Sequence, residues 1–213
     1  MISLSSFSQS KYGSDSVLCV TNLSLFREYY KQKNYEEAVG PWRWTFKNCP
    51  EASGNIYKNG AIIFKQLIKD NPAKKKEFID TLMLIYDQRI RFFGNQGYVL
   101  GRKGADLLRY DKSQFLAANE ILSKSINIQK NNSEAGALLA YFNSVDALYK
   151  NKFINIDSLL STYEYLNSII EFNINKSNNK SNYYKKTSEL IEKKIVNYIN
   201  CDKIEDIFFE KFN

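Results

Sequence analysis

Apolar residues recur at helical spacing along nearly the whole chain, and no segment shows a convincing two-residue alternation. Phe78, Leu82 and Ile85 share one helical face. Two later segments repeat the same spacing. One contains Leu138, Phe142, Val145 and Tyr149, and the other contains Leu159, Tyr163, Leu166 and Ile170. Only 9 glycines and 3 prolines occur, which disfavours a turn-rich β protein. The pattern therefore predicts an all-α fold.

Start and stop signals fall between these apolar runs. Asn71-Pro72 is typical of a helix cap with proline in the first turn, and Asn131-Asn132-Ser133 separates two further helices. The polar, Asn/Lys/Ser-rich stretch 175–182 predicts a linker. We expect helices at 16–32, 35–48, 55–69, 72–92, 98–109, 112–129, 133–150, 156–174, 183–199 and 202–212.

Short connections between helices favour antiparallel pairs, which are the unit of the 34-residue tetratricopeptide pattern. The segment Cys19–Ala52 carries five signature residues in that register: Leu25, Tyr29, Ala38, Trp42 and Pro50. Leu25 and Tyr29 are expected to pack the first helix on the second, and Ala38 to allow close approach. Trp42 is expected to fill the space towards the next pair. The sequence thus predicts a tetratricopeptide-like array of antiparallel helix pairs, an α-solenoid.

Three residues of this segment depart from the pattern. Asn22 occupies the usual tryptophan position, Phe26 replaces a small residue, and Pro41 lies inside the second helix, which it should kink. Later pairs match more weakly, so the predicted array is irregular.

The stretches 22–50, 80–94 and 97–110 resemble a family of extracytoplasmic tetratricopeptide proteins from Bacteroidota-type bacteria. The resemblance implies a signal peptide, a periplasmic or envelope location and no catalytic residues. It favours a signal-peptide remnant or a disordered N-terminus at 1–11, a repeat domain at 12–174, a linker at 175–182 and a truncated further repeat at 183–213. The natural protein is then expected to extend beyond both ends. If Met1 is the true start, a cytoplasmic location remains open.

The first predicted hairpin brings two cysteines together. Cys19 lies near the start of the first helix and Cys49 just past the end of the second. Antiparallel packing places those chain ends side by side, within the ~4.4–6.8 Å Cα separation that a disulfide needs. The sequence predicts a Cys19–Cys49 disulfide, with two free thiols as the alternative. Cys201 is the odd cysteine, whose partner would lie in a downstream repeat.

Residues for catalysis and cofactor binding are sparse. The chain has no histidine, which removes Ser-His-Asp and Cys-His catalysis, and its three cysteines lack metal-ligand spacing. The glycine-rich stretch 97–104 lacks the P-loop spacing and a preceding strand. Four carboxylates lie on the predicted helices: Asp80, Asp87, Asp106 and Asp146. We expect them to form ion pairs with nearby arginines rather than the catalytic acid pair of a glycosidase. We expect neither an enzyme nor a cofactor.

Two functions remain. The first is a non-catalytic protein-interaction scaffold of the cell envelope, binding partners on the concave face of the repeat. The expected contact residues are Arg27, Tyr30, Arg43, Trp44, Arg102 and Lys103. The alternative is a module for an anionic polymer, either nucleic acid or envelope polysaccharide, because the net charge is +7. The basic residues are scattered among acidic ones, so nucleic acid is not the expected ligand. No apolar run is long enough for a transmembrane helix.

Overall fold

The computed structural model describes residues 11–199, and no strand occurs within that range. The helices are α1 (Ser16–Lys31), α2 (Tyr35–Asn48), α3 (Asn55–Asp70), α4 (Lys75–Phe93), α5 (Gln96–Tyr110), α6 (Phe115–Gln129), α7 (Ala135–Lys150), α8 (Ile156–Asn175) and α9 (Ser181–Ile195). The all-α prediction is confirmed for the described residues. The predicted helix at 202–212, with Cys201, and the predicted leader at the N-terminus fall outside them, apart from Lys11.

Most predicted boundaries agree with the structure to within a few residues. One difference lies at the start of α4, which was expected at position 72. Asn71 accepts a hydrogen bond from the backbone nitrogen of Lys74 through its side chain, and Pro72–Lys74 forms a short 3-10 turn. The α-helix therefore begins one turn later, at Lys75.

The chain divides between Val99 and Leu100 into two compact units. In the first unit α1 packs on α2, α3 packs on α4, and α2 also contacts α3. In the second, α6 packs on α7 and α8 on α9, while α7 contacts both α8 and α9. Neighbouring helices therefore pack together within each unit, and the arrangement of these pairs as a tetratricopeptide solenoid stays a prediction.

Trp42 joins the two helix pairs of the first unit. Its indole is fully buried, stacks on Phe46 and meets Phe64 edge-on at ring-centroid distances of 4.7 and 4.8 Å. Gly60 on α3 lies against this ring so closely that a Cβ there would overlap the indole nitrogen. Trp42 therefore fills the space between α2 and the next pair, as expected from the sequence.

The packing role expected of Leu25 is wrong. Leu25 is 45% exposed, whereas its neighbour Phe26 is fully buried. Phe26 stands at the position where the repeat pattern has a small residue. Its large side chain therefore supplies the core contact that the pattern assigns to the adjacent residue, Leu25. Ala38 is fully buried, consistent with a close approach, and α2 continues through Pro41.

In the second unit one hydrophobic core extends across the polar stretch 175–182. Tyr184, Ile191 and Ile195 of α9 belong to the same core cluster as Leu138 and Phe142 of α7. The Tyr184 hydroxyl donates to the carbonyl oxygen of Ser133 at 2.8 Å. Residues 176–180 are thus the connection between two packed helices.

Candidate partner-binding surfaces

Cys19 and Cys49 form a disulfide that closes the α1–α2 hairpin. Their Cα atoms lie 6.2 Å apart, and both residues are buried. Cys19 lies in the first turn of α1, and Cys49 is the residue that caps the end of α2. The predicted disulfide is confirmed, and it fixes the start of α1 beside the end of α2.

The outward side of α1 carries four large, exposed apolar side chains, which we call the α1 face. Their exposed fractions are 74% for Val17, 46% for Leu18, 50% for Val20 and 45% for Leu25. Leu18 and Leu25 are seven residues apart and Val17 and Val20 three apart, so they form two neighbouring stripes. No charged residue occurs from Ser16 to Phe26. An uncharged, exposed helix surface of this kind is typical of an interaction site.

The structure places the two predicted contacts of α1 differently. Arg27 is exposed and lies directly after the uncharged stretch. Tyr30 was expected to be exposed but is half-buried, and its ring centroid lies 6.2 Å from that of Tyr35 on α2. Arg27 is therefore available at one end of the α1 face, whereas Tyr30 contributes partly to the contact between α1 and α2.

Arg43 and Trp44 are two of the predicted contact residues, and both lie on α2. The Arg43 guanidinium forms an ion pair of 3.0 Å with Glu77 at the start of α4. Both side chains are about half exposed, so this pair holds α2 near α4 only weakly. Trp44 is half-buried. Engaging a partner through Arg43 would require exchange of its Glu77 contact.

Arg102 and Lys103 lie on α5, within the glycine-rich stretch. Arg102 forms an ion pair of 3.1 Å with Glu134, and Lys103 is half-buried. A Cβ at Gly104 would overlap Leu122 of α6, and one at Gly101 would press on Ser125. The glycines therefore let two helices approach closely and lie in no phosphate-binding loop.

The exposed side of α3 carries a row of lysines that were not among the predicted contact residues. Lys58, Lys65 and Lys69 are seven and four residues apart, which places them on one helical side around the 44% exposed Ile62. Lys65 also lies over the Tyr86 ring at 5.9 Å. We call these three residues the α3 lysine row, and a local concentration of cations of this kind favours an anionic ligand.

A second feature that was not predicted from the sequence is an open groove of about 700 Å³ where α7 leads into α8. We call it the α7–α8 groove, and it is lined by Tyr149, Lys150, Lys152, Phe153, Ile154, Asn155 and Ser158. Phe153 is 58% exposed and rests edge-on against Phe115, with 5.9 Å between ring centroids. The sequence signal was the loop Lys150-Asn151-Lys152-Phe153, which combines two cations with an aromatic residue beside a helix end.

Beside this groove, a buried carboxylate connects α7 to the end of α9. Asp146 is 5% exposed and accepts from Lys150 at 3.0 Å, from Lys194 at 3.3 Å, and from the Tyr198 hydroxyl. Its partners are lysines, so pairing with an arginine, as expected from the sequence, is wrong here.

The ionisation of Asp146 reflects these contacts. Burial is the largest single effect and raises its pKa, but the hydrogen bonds from Tyr198 and Lys150 and the charges of Lys194 and Lys150 together outweigh it. The pKa of Asp146 therefore lies below its usual value. The hydrogen bond to Asp146 correspondingly raises the pKa of Lys150, which keeps its ammonium charged at the rim of the groove.

The remaining carboxylates expected on apolar helices are distributed between the two units. Asp80 and Asp87 are exposed on α4, and Asp106 is buried on α5. Within residues 11–199, no group of three or more acidic or cysteine side chains is placed to hold a metal ion. In the same range, no helix is both long and apolar enough to cross a membrane.

Comparisons with protein-family models, curated proteins and solved structures find no match to this chain.

Proposed function

We propose that this protein is a non-catalytic binding protein whose α1 face docks against another protein. The observation that carries the proposal is the uncharged α1 face itself, formed by Val17, Leu18, Val20 and Leu25. Four large apolar side chains exposed on one helix leave apolar surface in water that burial in an interface would stabilise.

The disulfide supports this use of α1. Cys19 lies between Leu18 and Val20, and its covalent link to Cys49 restrains the turn of helix from which the α1 face projects. A restrained surface loses less conformational entropy when it binds. Arg27, at the end of the face, adds a cation of the type enriched at interface hot spots.

The proposed location is extracytoplasmic, in the periplasm or cell envelope. The disulfide supports it because such bonds persist mainly in oxidising compartments. The resemblance of stretches 22–50, 80–94 and 97–110 to extracytoplasmic tetratricopeptide proteins of Bacteroidota-type bacteria points the same way. On this proposal, the helix pairs form a scaffold of tetratricopeptide type.

The test is affinity capture by the oxidised, full-length chain from an envelope extract of its source organism. Val20→Asp introduces a charge within the α1 face, and Leu84→Asp introduces the same charge at a 58% exposed apolar position on α4. We expect one protein to be retained by the wild type and by Leu84→Asp, with at least roughly fivefold less retained by Val20→Asp. Equal retention by all three proteins contradicts the proposal.

A second candidate function, binding of an anionic polymer, is favoured by the α3 lysine row. The stretch from Lys58 to Lys69 contains no acidic residue, so its only charged side chains are the three lysines. A labelled nucleic acid or acidic polysaccharide should then bind more weakly as salt increases, and Lys65→Glu with Lys69→Glu should abolish binding. An affinity that changes neither with salt concentration nor with these substitutions excludes this function.

A further inference from the structure

The α7–α8 groove has a chemistry different from that of the α1 face. Its polar lining includes the ammonium groups of Lys150 and Lys152, and an ammonium group can only donate hydrogen bonds. The Asn155 carboxamide oxygen already accepts from the backbone nitrogen and the hydroxyl of Ser158. The carbonyl oxygens of Leu148 and Tyr149 accept from the backbone of Phe153 and Lys152. The charged groups of the groove lining are therefore both hydrogen-bond donors, and the nearest side-chain amide oxygen is already engaged.

The charges at the groove are only partly neutralised within the protein. Asp146 shares its single negative charge between Lys150 and Lys194. The Lys152 ammonium makes no ion pair or hydrogen bond with any residue in the range 11–199. The N-terminus of α8 already has a cap in Asn155 and an acidic residue in its first turn, Asp157. The cationic character of the groove therefore comes from its lysines.

The backbone holds Lys152 in an unusual position. Lys152 has φ 61°, in the left-handed region, and the bonds from Lys152 to Tyr149 and from Phe153 to Leu148 close the end of α7. Glycine is the usual residue at this position of a helix end, because a side chain is strained there. The same conformation recurs at Lys33 and Lys130, so it ends the helix and is not itself evidence for a ligand. What distinguishes Lys152 is its place beside the exposed Phe153 in the groove.

We propose that the α7–α8 groove binds an acidic peptide segment, in which a carboxylate side chain contacts Lys150 and Lys152 while a neighbouring apolar side chain packs on Phe153. The lining fits this ligand because it combines ammonium donors with exposed aromatic surface. A neutral sugar would leave the two ammonium groups without a counter-charge, and an acidic sugar has no apolar side chain to pack on Phe153. This surface is separate from the α1 face and goes beyond the proposed function.

The chain contains a matched control for Lys152. Lys33 follows α1 with φ 58°, and its backbone makes the equivalent bond to Tyr30, while Asn34 bonds to Tyr29. Lys152→Gly and Lys33→Gly therefore both replace a left-handed lysine after a helix. Each should preserve the fold, which thermal unfolding checks, and only Lys152→Gly removes a cation from the groove.

The experiment measures fluorescence anisotropy of a labelled, end-blocked peptide of alternating glutamate and phenylalanine, with a glutamine–phenylalanine peptide as the neutral probe. The full chain should bind the acidic probe more tightly than the neutral one. Lys152→Gly should weaken that binding by roughly fivefold and Phe153→Ala by roughly tenfold. Lys152→Arg, Lys33→Gly and the α1 variant Val20→Asp should leave it unchanged.

Three results overturn the proposal: equal affinity for the two probes, equal effects of Lys152→Gly and Lys33→Gly, or binding of a labelled oligouronate with no binding of the acidic peptide. Because Val20→Asp leaves the groove intact, failure at the groove and failure at the α1 face are separate outcomes.

Discussion

The indole nitrogen of Trp42 donates a hydrogen bond of 2.8 Å to the carbonyl oxygen of Ile56, in the first turn of α3. Both residues are buried, so the bond forms where water does not compete. It fixes the depth at which the indole enters the space between α2 and α3. The bond and the glycine beneath the ring together determine how the two helix pairs of the first unit meet.

Gly60→Ala should destabilise the first unit, because the added methyl group would overlap the indole of Trp42. The expected loss is about 1–3 kcal/mol in the free energy of unfolding, the usual cost of overpacking a core. Gly136→Ala on α7 is the control, since no atom lies within 4 Å of the added methyl. It should be neutral or stabilise by at most about 1 kcal/mol. Urea denaturation measures both, and equal effects would refute the packing role assigned to Gly60.

Breaking the disulfide should destabilise the α1–α2 hairpin. Cys19 and Cys49 are separated by 30 residues, and closing a loop of that length contributes roughly 3–4 kcal/mol in the chain-entropy model. The Cys19→Ala, Cys49→Ala double variant should unfold at correspondingly lower denaturant and should no longer respond to a reductant. Peptide mapping without reductant should recover the linked pair from natural protein. Free thiols at both positions in that protein would contradict the extracytoplasmic location.

Asp146 should make stability depend on pH. Its pKa is lower in the folded protein than in the unfolded chain, so its contribution is fully present above the unfolded value of about 3.9. That contribution is lost as the pH falls through the folded pKa. Asp146→Asn should therefore cost about 1–3 kcal/mol at neutral pH, where a charged hydrogen-bond acceptor is replaced. The difference from wild type should shrink below about pH 4. A difference that is constant with pH argues against the ionised pair.

Tyr198→Phe tests the same cluster from its other side. Removing the hydroxyl deletes one of the hydrogen bonds that lower the pKa of Asp146, so that pKa should rise. Carboxyl chemical shifts followed by NMR as a function of pH report it directly. An unchanged pKa in Tyr198→Phe would show that the lysines alone hold Asp146 ionised.

The sequence was sufficient for those features that depend on local periodicity. Helix spacing gave α1 to α9 to within a few residues, and the geometry of a hairpin was enough to pair Cys19 with Cys49. The exposure of Leu25 was not predictable in the same way. The repeat pattern assumes a standard helix contact, and the large Phe26 takes the buried place instead.

The groove and the lysine row were missed because they depend on placement in space. Phe153 becomes a wall of the groove only because Phe115, far away in sequence, supports its ring. Lys58, Lys65 and Lys69 form a row only once the opposite side of α3 is known to be buried. Overall composition showed scattered charge and could not reveal this local concentration.

The most direct test of the α1 face is site-specific photo-crosslinking in intact cells of the source organism. A photoreactive phenylalanine derivative replaces Val20 in the full-length chain, with the same replacement at Leu84 on α4 as the control. The account predicts that the photoreactive group at position 20 forms one adduct, and that this adduct is with a different protein. The adduct should disappear when Val17→Asp is added, and position 84 should not form it. The same adduct from both positions, none from position 20, or only an adduct between two copies of this chain would contradict it.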